Sequence, residues 1–519
     1  MATNLGLFLF FLSFTFSAPP YSLADEPNAS IEWWCKRTRY PDACKNHFAN
    51  HGVPLQESDF KKMSVQVAME SASATHVYVG SLGPRCRNNL EKVAWEDCVS
   101  LYKDTVLQLN KTLSPAGTCT SFDQQTWLSA ALTNLETCKT GFVELGVTDN
   151  ILQLLPNNTV SQLISNSLAL YGNGSAGGHK ATYEDRFPTW VPRHDRKLLQ
   201  SSTAVSNANL VVAQDGSGNY TTVGAALAAA ASRSGSRRFI IYVKSGVYDE
   251  NVSTQLNNIM LVGDGIGSTI ITGSRSVVGG STTYSSATFA VTGNGFIAQG
   301  ITIQNTAGPP NHQAVALRSG SDLSVFYQCS FKGYQDTLYT YSLRQFYKSC
   351  NIYGTVDFIF GNAAVVFQSC TMYVRLPLVG QENTVTAQGR TDPNQNTGTV
   401  IQDCTITAGS DLQPLVSSFS TYLGRPWEEY SRTVVMESYL DSLISPAGWL
   451  EWDGTFALST LFYAEYANTG PGSSTSRRVT WPGYHAFTSA TQVAEFSVAN
   501  FIAGNSWLPA TNVPFISGL

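Results

Sequence analysis

The sequence predicts two structural units in one chain: an all-α four-helix bundle, then an all-β solenoid of the parallel β-helix type. Three observations predict this. Apolar residues recur at helical spacing from about residue 31 to 171. That period disappears from about residue 209 onward, where short β-rich runs separated by Gly, Asn, Asp and Ser take over. Those runs also repeat, with equivalent residues 21 positions apart. The chain of 519 residues is long enough for two or three domains at roughly 100–200 residues each. Charged residues make up 13%, against the usual ~25%, so disorder and a charge-rich coiled coil are excluded.

Residues 1–24 read as a secretory signal. An apolar run at 5–16 is followed by the small residues Ser22 and Ala24 at the cleavage positions. The run falls short of the ~20 residues that span a bilayer, so a membrane anchor fits less well. No later segment is apolar for long enough to span. Ten cysteines and six sequons, at Asn28, Asn110, Asn157, Asn173, Asn219 and Asn251, agree with an oxidising, extracellular destination.

The unit at 25–171 carries four amphipathic stretches, at 60–79, 90–109, 128–145 and 160–170. Leu128, Ala131, Leu132, Leu135, Cys138, Phe142 and Leu145 illustrate the period. Short connections between such stretches imply antiparallel neighbours in a bundle. Cys35 and Cys44 could staple a hairpin ahead of it, and Cys98 and Cys138 could tie two helices together. The pairing of Cys86 and Cys119 is left open.

Residues 172–199 break the pattern. Gly-rich sequence at 172–178 gives way to Arg193-His194-Asp195-Arg196-Lys197. The dibasic pair Arg196-Lys197 in an exposed linker is a candidate cleavage site for a processing protease; an uncut linker is the alternative.

The unit at 200–519 holds β-rich runs at 239–243, 288–291, 297–303, 323–331, 345–352, 365–374 and 399–407. Cys329 and Cys350, Gly333 and Gly354, and Asp336 and Asp357 are each 21 apart. A β-sandwich gives no reason for such a repeat; a solenoid does. Equivalent positions on adjacent coils then lie about 4.8 Å apart. Cys350 and Cys370 would reach each other at a separation that suits a disulfide. Cys329 and Cys404 have no assigned partner.

The same stacking makes Asp336 and Asp357 neighbours. Two close carboxyls do not both ionise easily, so one becomes an acid while the other stays a base or nucleophile. Spacing alone fits turn-capping aspartates at least as well. Gln313 and Gln335 fall about one coil apart near the same edge, where their amides could donate to an oxyanion. Arg425, in Leu423-Gly-Arg-Pro-Trp427, supplies a cation beside an aromatic. Past the linker only His312 and His485 remain, and neither a Gly-x-Ser-x-Gly elbow nor a His-Glu-x-x-His motif occurs. Ester hydrolysis here would be run by carboxylates.

Six blocks carry a family resemblance. Gly333-Tyr-Gln-Asp-Thr-Leu-Tyr339, Gly354-Thr-Val-Asp-Phe-Ile-Phe-Gly-Asn-Ala363, Leu423-Gly-Arg-Pro-Trp427, Asp215-Gly-Ser-Gly-Asn-Tyr220, Tyr242-Val-Lys-Ser-Gly-Val-Tyr248 and His312-Gln-Ala-Val-Ala-Leu-Arg318 run in order through the second half. Together they resemble the signature blocks of plant pectinesterases. The first half resembles the invertase/pectin-methylesterase inhibitor domain, and Arg196-Lys-Leu-Leu199 resembles the basic processing motif between the two. The resemblance implies a right-handed parallel β-helix, no metal, and hydrolysis of pectin methyl esters in the plant cell wall. It implies Asp357 as nucleophile and Asp336 as proton donor and later base. Gln335 and Gln313 would stabilise the oxyanion, and Arg425 would orient the nucleophile. Thr283 and Trp427, with Gln313 and Arg425, would bind substrate.

Glu428 and Glu429 follow Trp427 where the family is often basic. Beyond residue 199 there are 15 basic and 19 acidic residues, a formal charge of −4. No basic block marks a nucleic-acid binder. Two rival readings stay open. A β-helical glycosidase or lyase also uses carboxylates or Ca²⁺. Alternatively, the helical half could be the active part, an inhibitor or binding module. The expected partners are pectin, a proteinaceous pectinesterase inhibitor and the processing protease, with the enzyme itself a monomer.

Overall fold

The computed structural model describes residues 30–48, 56–115, 117–156, 158–172 and 205–519. The signal segment, the linker with Arg196 and Lys197, and the sequons at Asn28, Asn157 and Asn173 lie outside the described residues. Asn110, Asn219 and Asn251 are exposed.

Two short helices, α1 (Ile31–Cys35) and α2 (Pro41–Phe48), form the hairpin ahead of the bundle, joined by the Cys35–Cys44 disulfide. The four long stretches become α3 (Glu57–Ser81), α4 (Asn89–Thr112), α5 (Ser121–Glu144) and, after a single turn α6 (Ile151–Leu154), α7 (Thr159–Gly172). Caps fix where they start. Asn88 accepts from the Glu91 N–H, and Thr120 and Asp123 satisfy each other's backbone in a capping box. One apolar stripe per helix turns inward: Val65, Ala68, Ala72 and Val79 from α3 meet Leu101, Leu109, Leu128 and Leu135. The Cys98–Cys138 disulfide ties α4 to α5, with Cα atoms 4.5 Å apart. Cys86 and Cys119 are free thiols.

The second half is a right-handed parallel β-helix. Three sheets of 11, 7 and 8 strands run its length, and the pairings along them are parallel. Each full coil contributes one strand to each sheet. Register follows the repeat: Phe326 pairs with Tyr347, Ser330 with Asn351 and Leu338 with Ile359, each one coil of 21 residues apart. A short helix, α8 (Val223–Ala230), buries Val223, Ala226 and Leu227 in the core cluster that fills the solenoid. Along that core Phe326, Tyr347 and Phe367 stack with centroids 4.6 and 4.7 Å apart.

Several runs read as single strands are two strands meeting at a corner. The run at 323–331 is Ser324–Tyr327 and Ser330–Lys332, hinged at Gln328 with φ 51°. Ser349, Ser369 and Asp403 turn the same corner on the next coils with φ of 54°, 53° and 52°. A single left-handed residue redirects the chain without ending its β-rich composition, so composition does not reveal the bend.

The expected Cys350–Cys370 bridge is not formed; both are buried thiols, as are Cys329 and Cys404. The four stack in a column, one per coil. The N–H of each of the first three donates to the sulfur of the next coil's cysteine at 3.3–3.5 Å. The thiols of Cys350, Cys370 and Cys404 reach the carbonyls of Phe326, Tyr347 and Phe367. Parallel side chains in this register satisfy each sulfur with backbone rather than with its neighbour.

Candidate active site

Turn 333–337 joins strands Ser330–Lys332 and Leu338–Thr340; one coil on, turn 355–358 joins Asn351–Gly354 and Ile359–Gly361. Asp336 and Asp357 sit at equivalent points of these turns, both left-handed, with φ 62° and 51°. Left-handed backbone is tolerated best by Asn and Asp among side-chain-bearing residues, and it aims both carboxyls over the 7-stranded sheet. The Asp336 N–H donates to the Val356 carbonyl at 3.1 Å, which locks one turn onto the next. Both side chains are nearly buried, at 7% and 5% exposure.

Their surroundings differ. Arg425, just past strand Thr421–Gly424, clamps Asp357 through two bonds: Nε donates to Oδ1 at 2.9 Å and Nη2 to Oδ2 at 2.7 Å. The Thr384 hydroxyl donates to Oδ1 at 2.6 Å and accepts the Asp357 N–H at 2.8 Å. The Trp452 ring lies 4.4 Å from the guanidinium carbon. Asp336 has no such cation. Burial first, then the charges of Asp357 and Glu144, push its pKa well above the ordinary carboxyl range; Arg425 opposes this only in part. The site therefore holds one carboxyl gripped and oriented by a guanidinium beside one whose protonated form is favoured by burial and neighbouring charge.

Gln313 and Gln335 are both half-buried beside this pair. Gln335 occupies the same turn as Asp336, and its carbonyl accepts from the Ala314 N–H at 3.3 Å, which brings the Gln313 segment alongside. Trp427 packs edge-on against Phe360 at 5.9 Å. Its ring lies so close to Gly389 that any Cβ there would sit 2.7 Å from it, so Gly389 makes room for the ring. Thr283 is buried against the end of α5, where its N–H donates to Glu144 Oε2 at 2.9 Å.

That last contact crosses between the two halves. Helix α5 runs along the cleft over the 7-stranded sheet. From its N-terminus onward, Gln125 bonds the Asn394 carbonyl at 2.7 Å, Thr133 accepts from Asn362 at 2.9 Å and Asn134 accepts from the Tyr341 hydroxyl at 2.7 Å. Glu144, at its last residue, is pushed up to about 7, by burial first and with Asp97 adding to it. Asp97 of α4 accepts from the Thr282 hydroxyl and is pushed up to about 6 by burial. Two ion pairs flank the helix: Arg344 with Asp123 at 2.6 Å, and Arg39 with Asp392 at 2.8 Å. Between α5 and the floor formed by Tyr339 and Trp427, a cavity of only about 20 Å³ is left. Sequence reasoning missed Thr384, Trp452, Glu144 and Asp97. None of these had a signal in the sequence: the Thr384 strand pairs with the one that follows Asp357, but an excursion takes Thr384 out of the 21-residue period.

Among the described residues no group of His, Cys, Asp and Glu is arranged to hold a metal ion, and no helix is long and apolar enough to cross a membrane.

Comparison with known proteins places the two halves in known families. Residues 209–505 match the pectinesterase family, and residues 29–170 match the plant invertase/pectin methylesterase inhibitor family. The chain is 59% identical to pectinesterase 2 of Citrus sinensis over 493 residues, covering 94% of this chain and 95% of that protein. It is 48% identical to pectinesterase 1 of the same species over 530 residues, covering 95% and 90%. Among solved structures, pectin methylesterase from carrot superimposes with a TM-score of 0.59 at 60% identity, covering 60% of this chain and 98% of that one. The chain belongs to the pectinesterase family of carboxylic ester hydrolases, with an inhibitor-family helical domain ahead of its β-helix.

Proposed function

We propose that this chain hydrolyses the methyl esters of homogalacturonan in the plant cell wall, releasing methanol, through an aspartate nucleophile and an acyl-enzyme. The observation that carries this reading is the asymmetry of the aspartate pair: Asp357 gripped by Arg425, Asp336 buried without a cation.

An Asp357 oxygen attacks the ester carbonyl carbon, and the π electrons move onto the carbonyl oxygen. The amides of Gln313 and Gln335 donate to that oxyanion. Collapse expels the methoxy group, which takes the Asp336 proton and leaves as methanol. Asp336, now a carboxylate, removes a proton from water, and the resulting hydroxide attacks the acyl carbon. The acid product departs, the Asp357 carboxylate returns and Asp336 is protonated again. Aspartate is a weak nucleophile, so its orientation by Arg425 and Thr384 supplies much of the advantage. Thr283 and Trp427 bind the sugar chain beside the pair.

Methanol release from highly methylated pectin, with polymer length followed in the same sample, tests the reaction. Methanol with unchanged length supports the esterase; shortening points to a glycosidase or lyase.

The helical domain is an inhibitor in the uncut chain, because α5 occupies the cleft that the polymer must enter. A separate inhibitor protein would compete for the same surface. The chain is secreted and glycosylated, acts as a monomer and is cut by a protease at Arg196-Lys197. Equal activity of the uncut and cut chains would sink the inhibitory role.

A further inference from the structure

The turn that carries Asp336 has two sides. One faces the cleft. The other borders an open groove of about 500 Å³ on the outer face of the 8-stranded sheet. Gln304, Lys332 and Tyr353 stand at opposed positions on three adjacent coils of this sheet. They form an amide, an ammonium and a phenol spaced about 4.8 Å apart along the solenoid axis. The Lys332 ammonium lies 5.4 Å from the centre of the Tyr353 ring, and among the described residues no ion pair engages it. Arg375 stacks on Tyr334 at 3.8 Å, donates to the Gly333 carbonyl at 3.1 Å and is balanced by Asp411 at 3.1 Å. The groove thus carries one uncompensated positive charge within a half of the chain whose formal charge is −4.

We propose that this groove is a second binding site, separate from the cleft, for de-esterified galacturonan. Lys332 takes a uronate carboxylate, and Gln304 and Tyr353 bond sugar hydroxyls on the flanking residues. The ligand class follows from the chemistry. A single cation flanked by neutral donors and acceptors, repeated at about the pitch of a linked pyranose chain, suits a carboxylated sugar polymer better than a dense polyanion. The choice of galacturonan rests on the substrate proposed above. None of the hydrogen bonds or ion pairs described between the helical domain and the β-helix uses a residue of this groove. Among the described residues the helical domain thus leaves this groove unengaged while α5 fills the cleft, so the uncut enzyme can hold on to acidic pectin before it becomes active.

The test is titration of an unesterified galacturonate tetramer into the full uncut chain, followed by calorimetry or NMR. Removing one charge-assisted contact is expected to weaken binding roughly tenfold in Lys332→Ala, while Trp427→Ala, in the cleft, leaves it unchanged. A neutral galactose tetramer is expected not to bind. Three results would overturn the proposal: no binding by the wild type, equal binding by Lys332→Ala, or equal binding of the neutral tetramer. Loss in Trp427→Ala alone would place the ligand in the cleft and overturn it too. Methanol release distinguishes this from failure of the esterase reading, because the titration needs no turnover.

Discussion

The β-helix and the interface that the helical domain makes with it treat buried charge differently. Inside the β-helix, buried charges stand in opposed pairs: Asp322 with Arg344 at 2.8 Å, Glu465 with Arg478 at 2.8 Å, and Asp357 with Arg425 at 2.7 Å. Asp336 is the buried carboxyl without such a partner, and the buried cations Arg318 and Lys348 meet carbonyl, amide and hydroxyl oxygens instead. At the interface, Arg344–Asp123 and Arg39–Asp392 are paired. Asp97 and Glu144, however, meet hydroxyl and amide donors, and Glu428 is pushed up to about 7 by burial and by Glu136. Paired charges hold their geometry across a wide pH range; buried carboxyls without a cation become costlier to keep buried as they ionise. The catalytic half is thus built to be permanent, and its cover is built to be conditional.

Breaking the permanent half has the largest effects. Asp357→Ala removes the proposed nucleophile and leaves Arg425 unpaired; methanol release should fall by on the order of 10⁴ or more. Wild-type-like release would refute the assignment. Gln335→Ala removes one proposed oxyanion donor and should cost ~10²–10³ in kcat with little change in KM. A loss confined to KM would make Gln335 a binding residue instead. Thr384→Val deletes one charge-assisted bond to Asp357 while Arg425 still holds it, so kcat should drop by roughly tenfold to a hundredfold. A drop as large as that of Asp357→Ala would show that Thr384 fixes the whole turn.

The permanent half is also the half that could be read from sequence. A parallel solenoid places residues one period apart side by side, so the 21-residue offset from Asp336 to Asp357 is a spatial statement. The reading stopped where the period did. Thr384 lies 27 residues beyond Asp357, because residues 375–382 form an excursion between strands Thr371–Val374 and Asn383–Gln388. The cysteine column followed the same period, yet proximity did not decide between a disulfide and a thiol bonded to backbone. The cover was legible only as helices. Their apolar period reports what each helix buries within the bundle, and α5 buries Leu128 and Leu135 there while its other face carries Thr133, Glu136 and Glu144. A polar face of this kind reads as solvated, and nothing in the period reveals that it meets a cleft.

The smallest effect sharpens the comparison most. Glu144 faces Asp97, Asp336 and the Thr283 N–H, so docking raises it from the ordinary 4.5 to about 7. Asp97, beside Thr282, rises from 3.8 to about 6. The docked state binds more protons than the separated one, so the interface weakens as pH rises. Its full strength lies below about pH 4; it declines through the window up to about 7 and then levels off. After cleavage of the linker, the affinity of the helical domain for the β-helix should fall roughly tenfold or more between pH 5 and 8. Glu144→Gln keeps a hydrogen-bonding oxygen for the Thr283 N–H without the titrating proton. It should flatten part of that dependence, leaving the share owed to Asp97 and Glu428. If Glu144→Gln follows the wild-type profile unchanged, the proton dependence resides elsewhere in the interface. If the wild-type profile is itself flat, the contrast between a permanent site and a conditional cover fails.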